Sequence, residues 1–431
     1  MKRLGREDVK TLSLSALGGT LEFYDFIIFV IFTPYFHHHF FPEGLDEKWK
    51  LFNTYGAYAA GYLARPLGGI IMAHFGDKFG RKNMFMLSIV LMVIPTFVLA
   101  VMPTYQHIGY FAIVILFIIR VLQGIAIGGE LPGAWVFVRE HSPKHSIGMF
   151  LGLLTCGVAG GILLGTSIAL VLQLNFGEQV IKDWAWRIPF GIGGVFGIVS
   201  VRLRKYLSET PTFQELKKQN QINDFPLKEV LKNYKPGVVL SLLITWVLTA
   251  CVMVMLLLMP NFAKVAMGID AISNTCLQMG GVFMMLVGLV ASGALADNFK
   301  PSSICKFFAI GLCVFCSLYF YETYVGKNVV LFSIYYLLAC VFTGIVNFAS
   351  IFMCAVYRPN VRFSGISFSY NVAYAIVGFI TPILLLKLHS NAIDGVGGIY
   401  SIGPGIYLCF ISVLAYVCAI IFDKIKLEED N

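Results

Sequence analysis

The chain reads as an all-α integral membrane protein of twelve transmembrane helices, and three observations predict it. Only 13% of its 431 residues are charged while 58% are hydrophobic, against roughly a quarter charged in an average soluble domain. Its mean hydropathy of +0.77 exceeds what one soluble core could bury, so lipid must take the remainder. Uncharged runs recur at 236–263, 271–296, 328–357, 363–386 and 395–422, each long enough to cross a bilayer. An ordinary soluble enzyme is excluded. A β-barrel is excluded too, because runs such as VGLVASGALA do not alternate.

The first span, 14–36, carries Glu22 and Asp25 and lacks a small-residue cleavage site after a short apolar core. It is expected to be a retained helix. The second, 51–75, holds Arg65 between Gly61 and Gly69; the third covers 84–102. In the fourth, 109–138, Arg120 precedes Gly124 and Gly128, and Glu130 precedes Pro132, a bend. Small residues beside an arginine permit close helix packing and leave room for a solute. The fifth, 147–174, has Gly157, Gly161 and Gly165 at four-residue spacing, a packing seam, and Arg187 lies near the start of the sixth, 185–203.

The polar stretch 204–235 divides six spans from six. The expected domains are therefore an N-terminal six-helix half, 1–203, a cytoplasmic linker, 204–235, and a C-terminal half, 236–431. The second half spans at 237–263, 272–296, 303–321, 328–356, 363–386 and 397–422. Nine of the ten cysteines lie from Cys251 onward, almost all in apolar runs where they act as small hydrophobes. Cys313 and Cys316 form a CxxC with no second pair, so no metal or redox centre is expected, and no cofactor.

The net charge of +8 could suggest nucleic acid, but its distribution follows the positive-inside rule. With both termini cytoplasmic, Lys2, Arg3, Arg6, Lys10, Lys78, Arg81, Lys82 and the cluster from Arg202 to Lys235 fall inside. The outer loops hold few: Lys48, Lys50, Lys182, Lys264, Lys327 and Lys387. The basic balance reads as topology, with anionic membrane lipid as its partner and no nucleic acid. His37, His38 and His39 stand at an outer helix end and read as a solvated terminus, because consecutive residues of a regular helix cannot all face one ion.

Equal halves prompt a search for a repeat, and one exists at an offset of 220 residues: AHFGDKFGRK, with Asp77, matches GALADNFKPS, with Asp297. Parallel duplication around a central site is an arrangement of secondary transporters. The segment from Gly76 to Lys82 resembles the loop motif of the major facilitator superfamily, with Ala73 where that pattern has Gly. LEFYDF (21–26), ARPLGG (64–69), RVLQGIAIGGE (120–130), WAWRIPF (184–190) and LSETPTF (207–213) together resemble its metabolite:proton symporter family, which includes proline/betaine, 2-oxoglutarate and citrate carriers. The second half resembles the family mainly in topology, and Ile147 stands where members carry Arg before Gly148. The resemblance implies a major facilitator fold in a bacterial inner membrane and uptake coupled to protons.

A charge at the bilayer centre costs about 3 kcal/mol, so one that persists there has work to do. Glu22, Asp25, Arg65, Arg120, Glu130 and Arg187 are such charges, three acids balancing three arginines. Glu22 and Asp25 share a helix face, and two such carboxylates do not both ionise easily. They and Glu130 are the proton-coupling candidates; the alternative is that arginines hold them ionised as structural pairs. Arg120 suits a substrate carboxylate bidentately or an interhelix pair. Arg65, Arg187, Tyr24, Asn347, Tyr370 and Asn371 complete the substrate candidates, although a snorkelling or interface role is the favoured reading of Arg187. Gly76, Asp77, Gly80, Arg81 and Asp297 are gating candidates, a charge–dipole contact that breaks when halves rock, or else plain anchoring.

The expected protein is not an enzyme, since no nucleophile–base pair, HExxH or phosphate loop occurs. It is a monomeric secondary transporter taking up a small carboxylate or zwitterion with protons. The alternative is a proton-independent facilitator, exchanger or exporter.

Overall fold

The computed structural model describes residues 6–42, 44–259, 262, 266–393 and 403–425, and among these there is no strand. The first half supplies α1 (Arg6–Phe36), α2 (Glu47–Phe79), α3 (Arg81–Val101), α4 (Phe111–His141), α5 (Ile147–Asn175) and α6 (Arg187–Arg204). Two short helices, α7 (Pro211–Lys218) and α8 (Pro226–Asn233), occupy the polar stretch. Then come α9 (Lys235–Val252), α10 (Ala271–Asn298), α11 (Pro301–Tyr321), α12 (Val329–Phe342), α13 (Asn347–Val356), α14 (Arg362–Ile393) and α15 (Gly403–Lys424). A 3-10 turn, Thr343–Val346, joins α12 and α13 into one span.

Among the described residues ten helices are long and apolar enough to cross a membrane, and Glu178–Ala185 with Arg187–Arg204, bent by 49°, makes an eleventh. The twelfth expected span falls on α2, which has the length at 33 residues. Gly61, Tyr62, Arg65, Pro66, Gly68 and Gly69 dilute its hydropathy. Its outer stripe is nonetheless apolar: Leu63, Leu67, Ile71, Phe75 and Phe79, one residue in four, are 41% to 72% exposed. Such a stripe on one helix face suits lipid, and α2 counts as a span on that ground.

The chain divides into two compact units, Met1–His141 with Gly157–Leu227 and Pro359–Asn371, and Ser142–Cys156 with Lys228–Arg358 and Val372–Asn431. Each unit thus includes the first turns of a helix that otherwise belongs to the other: α14 begins in the first and α5 in the second.

Glycines set the tightest seam of each unit. A Cβ on Gly124 of α4 would stand 2.0 Å from the Gly61 carbonyl of α2, and one on Gly128 2.2 Å from the Arg65 carbonyl. In the second unit, a Cβ on Gly288 would stand 1.8 Å from Val341 O, and one on Gly344 2.3 Å from Gly288 O. Gly68 and Gly124 precede Gly288 and Gly344 by the same 220 residues that separate Asp77 from Asp297. The repeat therefore extends into the packing. Gly157, Gly161 and Gly165 meet Ala16, Thr20 and Ile27 of α1 in a further seam.

Overpacking of this kind costs typically 1–3 kcal/mol or more. Gly124→Val is expected to lower the thermal unfolding midpoint of the purified protein and abolish transport. Gly160→Val, where an added Cβ meets nothing within 4 Å, is expected to leave both unchanged.

Candidate functional site

Asp25 is buried on α1 and is ringed by donors from α3 and α4. The Thr96 hydroxyl donates to its Oδ1 at 2.8 Å, the Gln123 amide donates to Oδ2 at 2.8 Å, and Arg120 Nη1 stands 3.5 Å from Oδ2. The Gln123 amide also donates to Thr96 Oγ1 at 2.9 Å, and its own oxygen accepts from Arg120. Both amide hydrogens are thereby used, the one Thr96 hydroxyl proton lies between Asp25 Oδ1 and Met92 O, at 2.8 and 2.9 Å, and the ring closes on one carboxylate. Arg120 and Gln123 sit three apart on α4, which puts both on the face toward α1. The Arg120 guanidinium also lies 3.6 Å from the Phe29 ring centroid, a cation–π contact.

Beside the ring is a cavity of about 20 Å³ lined by Asp25, Tyr62, Arg65, Arg120 and Gln123, enough for about one water molecule. Arg65 lies 5.6 Å from the ring centroids of both Tyr62 and Tyr370, and its Nη2 donates to the Tyr370 hydroxyl at 3.4 Å. Two arginines thus line one small cavity in the α2–α4 seam. Where glycines hold the backbones close, arginines fill the room between the helices.

Glu130 belongs to a separate cluster. Its carboxylate pairs with fully buried Arg204, at 3.1 Å from Nη1 and closer from Nη2, and accepts the Ser88 hydroxyl. Arg204 also donates to Leu14 O and Phe85 O, at 3.3 and 3.0 Å. One arginine from α6 therefore holds α1, α3 and α4. Gly18 is what makes room, since a Cβ there would overlap the Arg204–Glu130 pair.

The 76–82 segment builds a third cluster. Asp77 Oδ2 accepts the Ser364 N–H and hydroxyl, at 2.9 and 2.8 Å, in the first turn of α14. Arg81 lies 3.6 Å from Asp77 Oδ1, pairs with Glu140, and donates to Thr210 and to Pro359 O; Arg362 stands 3.4 Å from Glu140. Glu209 accepts the Arg81 and Lys82 N–H groups, each at 3.2 Å, at the start of α3, where a carboxylate also meets the helix dipole favourably. Gly80 has φ of +118°, a backbone that side chains rarely adopt. A Cβ on Gly76 would meet the Phe363 ring at 2.5 Å.

In the second unit Asp297 does what Asp77 does in the first. Its carboxylate accepts the Gly148 and Met149 N–H groups, at 2.6 and 2.8 Å, in the first turn of α5. With Ile at 147, the partner is the helix terminus itself. Asn347 lies close by, its amide 3.5 Å from Gly148 O.

Of the residues singled out from sequence, Asp25, Arg120, Arg65 and Tyr370 are brought together. Tyr24 adjoins Asp25, but its hydroxyl donates to Pro189 O at 2.7 Å. Asn371 donates to Gly128 O at 2.7 Å in the α4 backbone. Arg187 is not brought to this group: its Nη1 caps the end of α3 through Ala100 O and Met102 O, at 3.0 and 2.8 Å. Glu22 shares α1 with Asp25, and its side chain lies outside the described residues. Thr96, Gln123, Glu140, Arg204, Glu209 and Arg362 were not singled out. Arg204 in particular was assigned to the inner basic cluster, and it is instead buried against Glu130.

The fold and these buried charge clusters are those of a membrane transporter. The chain belongs to the Major Facilitator Superfamily, whose model matches residues 16–382. It is a transporter rather than an enzyme. It is 26% identical to the proline/betaine transporter of Escherichia coli K12 over 430 residues, covering 95% of this chain and 82% of that protein. It is 25% identical to the glycine betaine/proline/ectoine/pipecolic acid transporter OusA of Dickeya dadantii, covering 94% and 81%. Among solved structures, the proton:xylose symporter XylE superposes with a TM-score of 0.79 at 14% identity, covering 97% of this chain and 96% of that one.

Proposed function

We propose that the protein takes up a small organic solute carrying a carboxylate, such as a proline- or betaine-like zwitterion, together with a proton. The observation that carries this reading is the Asp25 ring beside a cavity that Arg65 and Arg120 also line. Both carboxylate oxygens accept hydrogen bonds. A proton arriving at Asp25 cancels the charge that holds Arg120, whose contact at 3.5 Å is the longest of the three. Arg120 then keeps its charge without its partner, and a solute carboxylate can take that place bidentately. Proton and solute are thus bound in favour of one another, which is the requirement of symport. The names of the relatives support the zwitterion, and the two arginines support the carboxylate.

Alternating access completes the proposal. The Asp77 contact to the start of α14 and the Asp297 contact to the start of α5 are the two that break and remake as the two six-helix sequence halves, 1–203 and 236–431, rock. Both termini face the cytoplasm of a bacterial inner membrane, and the protein acts as a monomer among lipids.

The test is uptake of labelled proline, glycine betaine, 2-oxoglutarate and citrate into proteoliposomes with the interior alkaline. One solute is expected to accumulate above equilibrium, and Arg120→Lys to raise its KM about tenfold or more, roughly 1.4 kcal/mol of lost binding. Equilibration that ignores the pH gradient would instead indicate a facilitator.

A further inference from the structure

Thr96 of α3 has three hydrogen-bond partners and one proton to give. Its hydroxyl lies 2.8 Å from Asp25 Oδ1 and 2.9 Å from Met92 O, and its oxygen accepts the Gln123 amide at 2.9 Å. A hydroxyl is one donor with two acceptor lone pairs. With Asp25 ionised, the carboxylate and the Met92 carbonyl compete for the same proton, and one of them goes without. With a proton on Asp25 Oδ1 the count closes: Asp25 and Gln123 both donate to Thr96, and Thr96 donates to Met92 O. We propose that Thr96 is the positioning residue for the coupling proton, its hydroxyl turning from Asp25 Oδ1 to Met92 O as that oxygen is protonated, and back as the proton leaves. The inference rests on the reading of Asp25 as the group that carries the proton.

The two oxygens of Asp25 are not equivalent. Among the described residues Oδ2 faces donors alone, the Gln123 amide at 2.8 Å and Arg120 at 3.5 Å, so a proton there would meet other hydrogens. Oδ1 faces a group that both gives and takes. The turn moves one hydrogen and no heavy atom, so both protonation states fit the same packing of α1 against α3. The cavities divide in the same way. Asp25 and Thr96 line one of about 10 Å³ with Leu21, Ile89 and Val93, while Arg65 and Arg120 line the one of about 20 Å³, whose lining does not include Thr96. Proton and solute thus meet different sides of one carboxyl group. Of the ionisable groups around it, Arg120 of α4 and Arg65 of α2 stay charged throughout, and Tyr24 of α1 donates its hydroxyl to Pro189 O at 2.7 Å. Among the described residues, α3 and α6 add none to either lining.

The test is infrared spectroscopy of the purified full chain in lipid vesicles across a pH titration, which reads the C=O stretch of a protonated carboxyl group. The band that Asp25→Asn removes belongs to Asp25. Thr96→Val keeps the shape and removes the hydroxyl. It is expected to shift that band, and to move the pH of half-maximal uptake of the same four labelled solutes by about one unit, the size of one lost hydrogen bond. Thr96→Ser, which keeps the hydroxyl, is expected to leave both as in wild type. Should Thr96→Val fail to fold, Thr96→Ala carries the same expectation. A band that Asp25→Asn removes but Thr96→Val leaves in place overturns the role of Thr96 and spares that of Asp25, as does a Thr96→Ser variant that behaves like Thr96→Val. A carboxyl titration unchanged by Asp25→Asn overturns the reading of Asp25 itself, and the role of Thr96 with it.

Discussion

Asp25→Asn is expected to abolish pH-driven accumulation and to leave solute exchange in place. Asn keeps the volume and one acceptor for Thr96 or Gln123, so the packing of α1 against α3 and α4 survives. It cannot lose or gain the proton, and Arg120 is left permanently without its carboxylate. The variant therefore resembles the protonated state held fixed. A one-unit pH gradient is worth about 1.36 kcal/mol per proton, enough for roughly tenfold accumulation at one proton per solute. Wild type should approach that ratio and the variant should fall to equilibration. Counterflow of labelled against unlabelled solute, which needs no net proton movement, should persist. Full gradient-driven uptake by Asp25→Asn would remove Asp25 from the coupling.

The largest expected loss of stability comes from Glu130→Gln. Arg204 is fully buried, and Glu130 is its ionic partner across the α1, α3, α4 and α6 junction. Removing one partner of a buried pair leaves a charge uncompensated and costs about 3–5 kcal/mol. The remaining carbonyls of Leu14, Ser15 and Phe85 accept hydrogen bonds from Arg204 but do not neutralise it. The thermal unfolding midpoint of the purified variant should drop markedly, and Glu130→Gln combined with Arg204→Met should recover much of the loss. A single variant as stable as wild type, or a double variant worse than the single, would contradict this account of the pair. Because Glu130 stands apart from Asp25 in its own cluster, uptake per folded molecule should still respond to the pH gradient.

Much of this architecture was legible in the sequence, for reasons that differ by element. Spans announce themselves because lipid tolerates few charges, and only α2 blurs, where glycines, tyrosines and Arg65 occupy the seam against α4. The repeat was visible at Asp77 and Asp297, because both do the same work at the start of a helix. Gly68 with Gly288, and Gly124 with Gly344, carry it further, though a small residue alone does not say what it touches. Asp25 and Arg120 stood out as intramembrane charges. Thr96 and Gln123 did not, since an uncharged polar residue in an apolar span is common and costs little when satisfied. Arg204 was hidden by Arg202 and Lys205: in a basic run at a helix end, charge counting cannot tell which residue turns inward. Arg187 reads from its charge either as a solute ligand or as an interface anchor, and sequence alone does not show that carbonyls at the end of α3 take its donors. Ile147 stands where an arginine is expected, and the backbone N–H groups of Gly148 and Met149, which no residue pattern marks, hold Asp297.

Coupling itself is read most directly from proton movement when solute is added to proteoliposomes holding a pH-sensitive dye, with no gradient imposed beforehand. Wild type should acidify its interior on addition of the transported solute and of no other, and Asp25→Asn should not. Solute entry without proton entry in the wild type would contradict symport and leave a facilitator on the same fold.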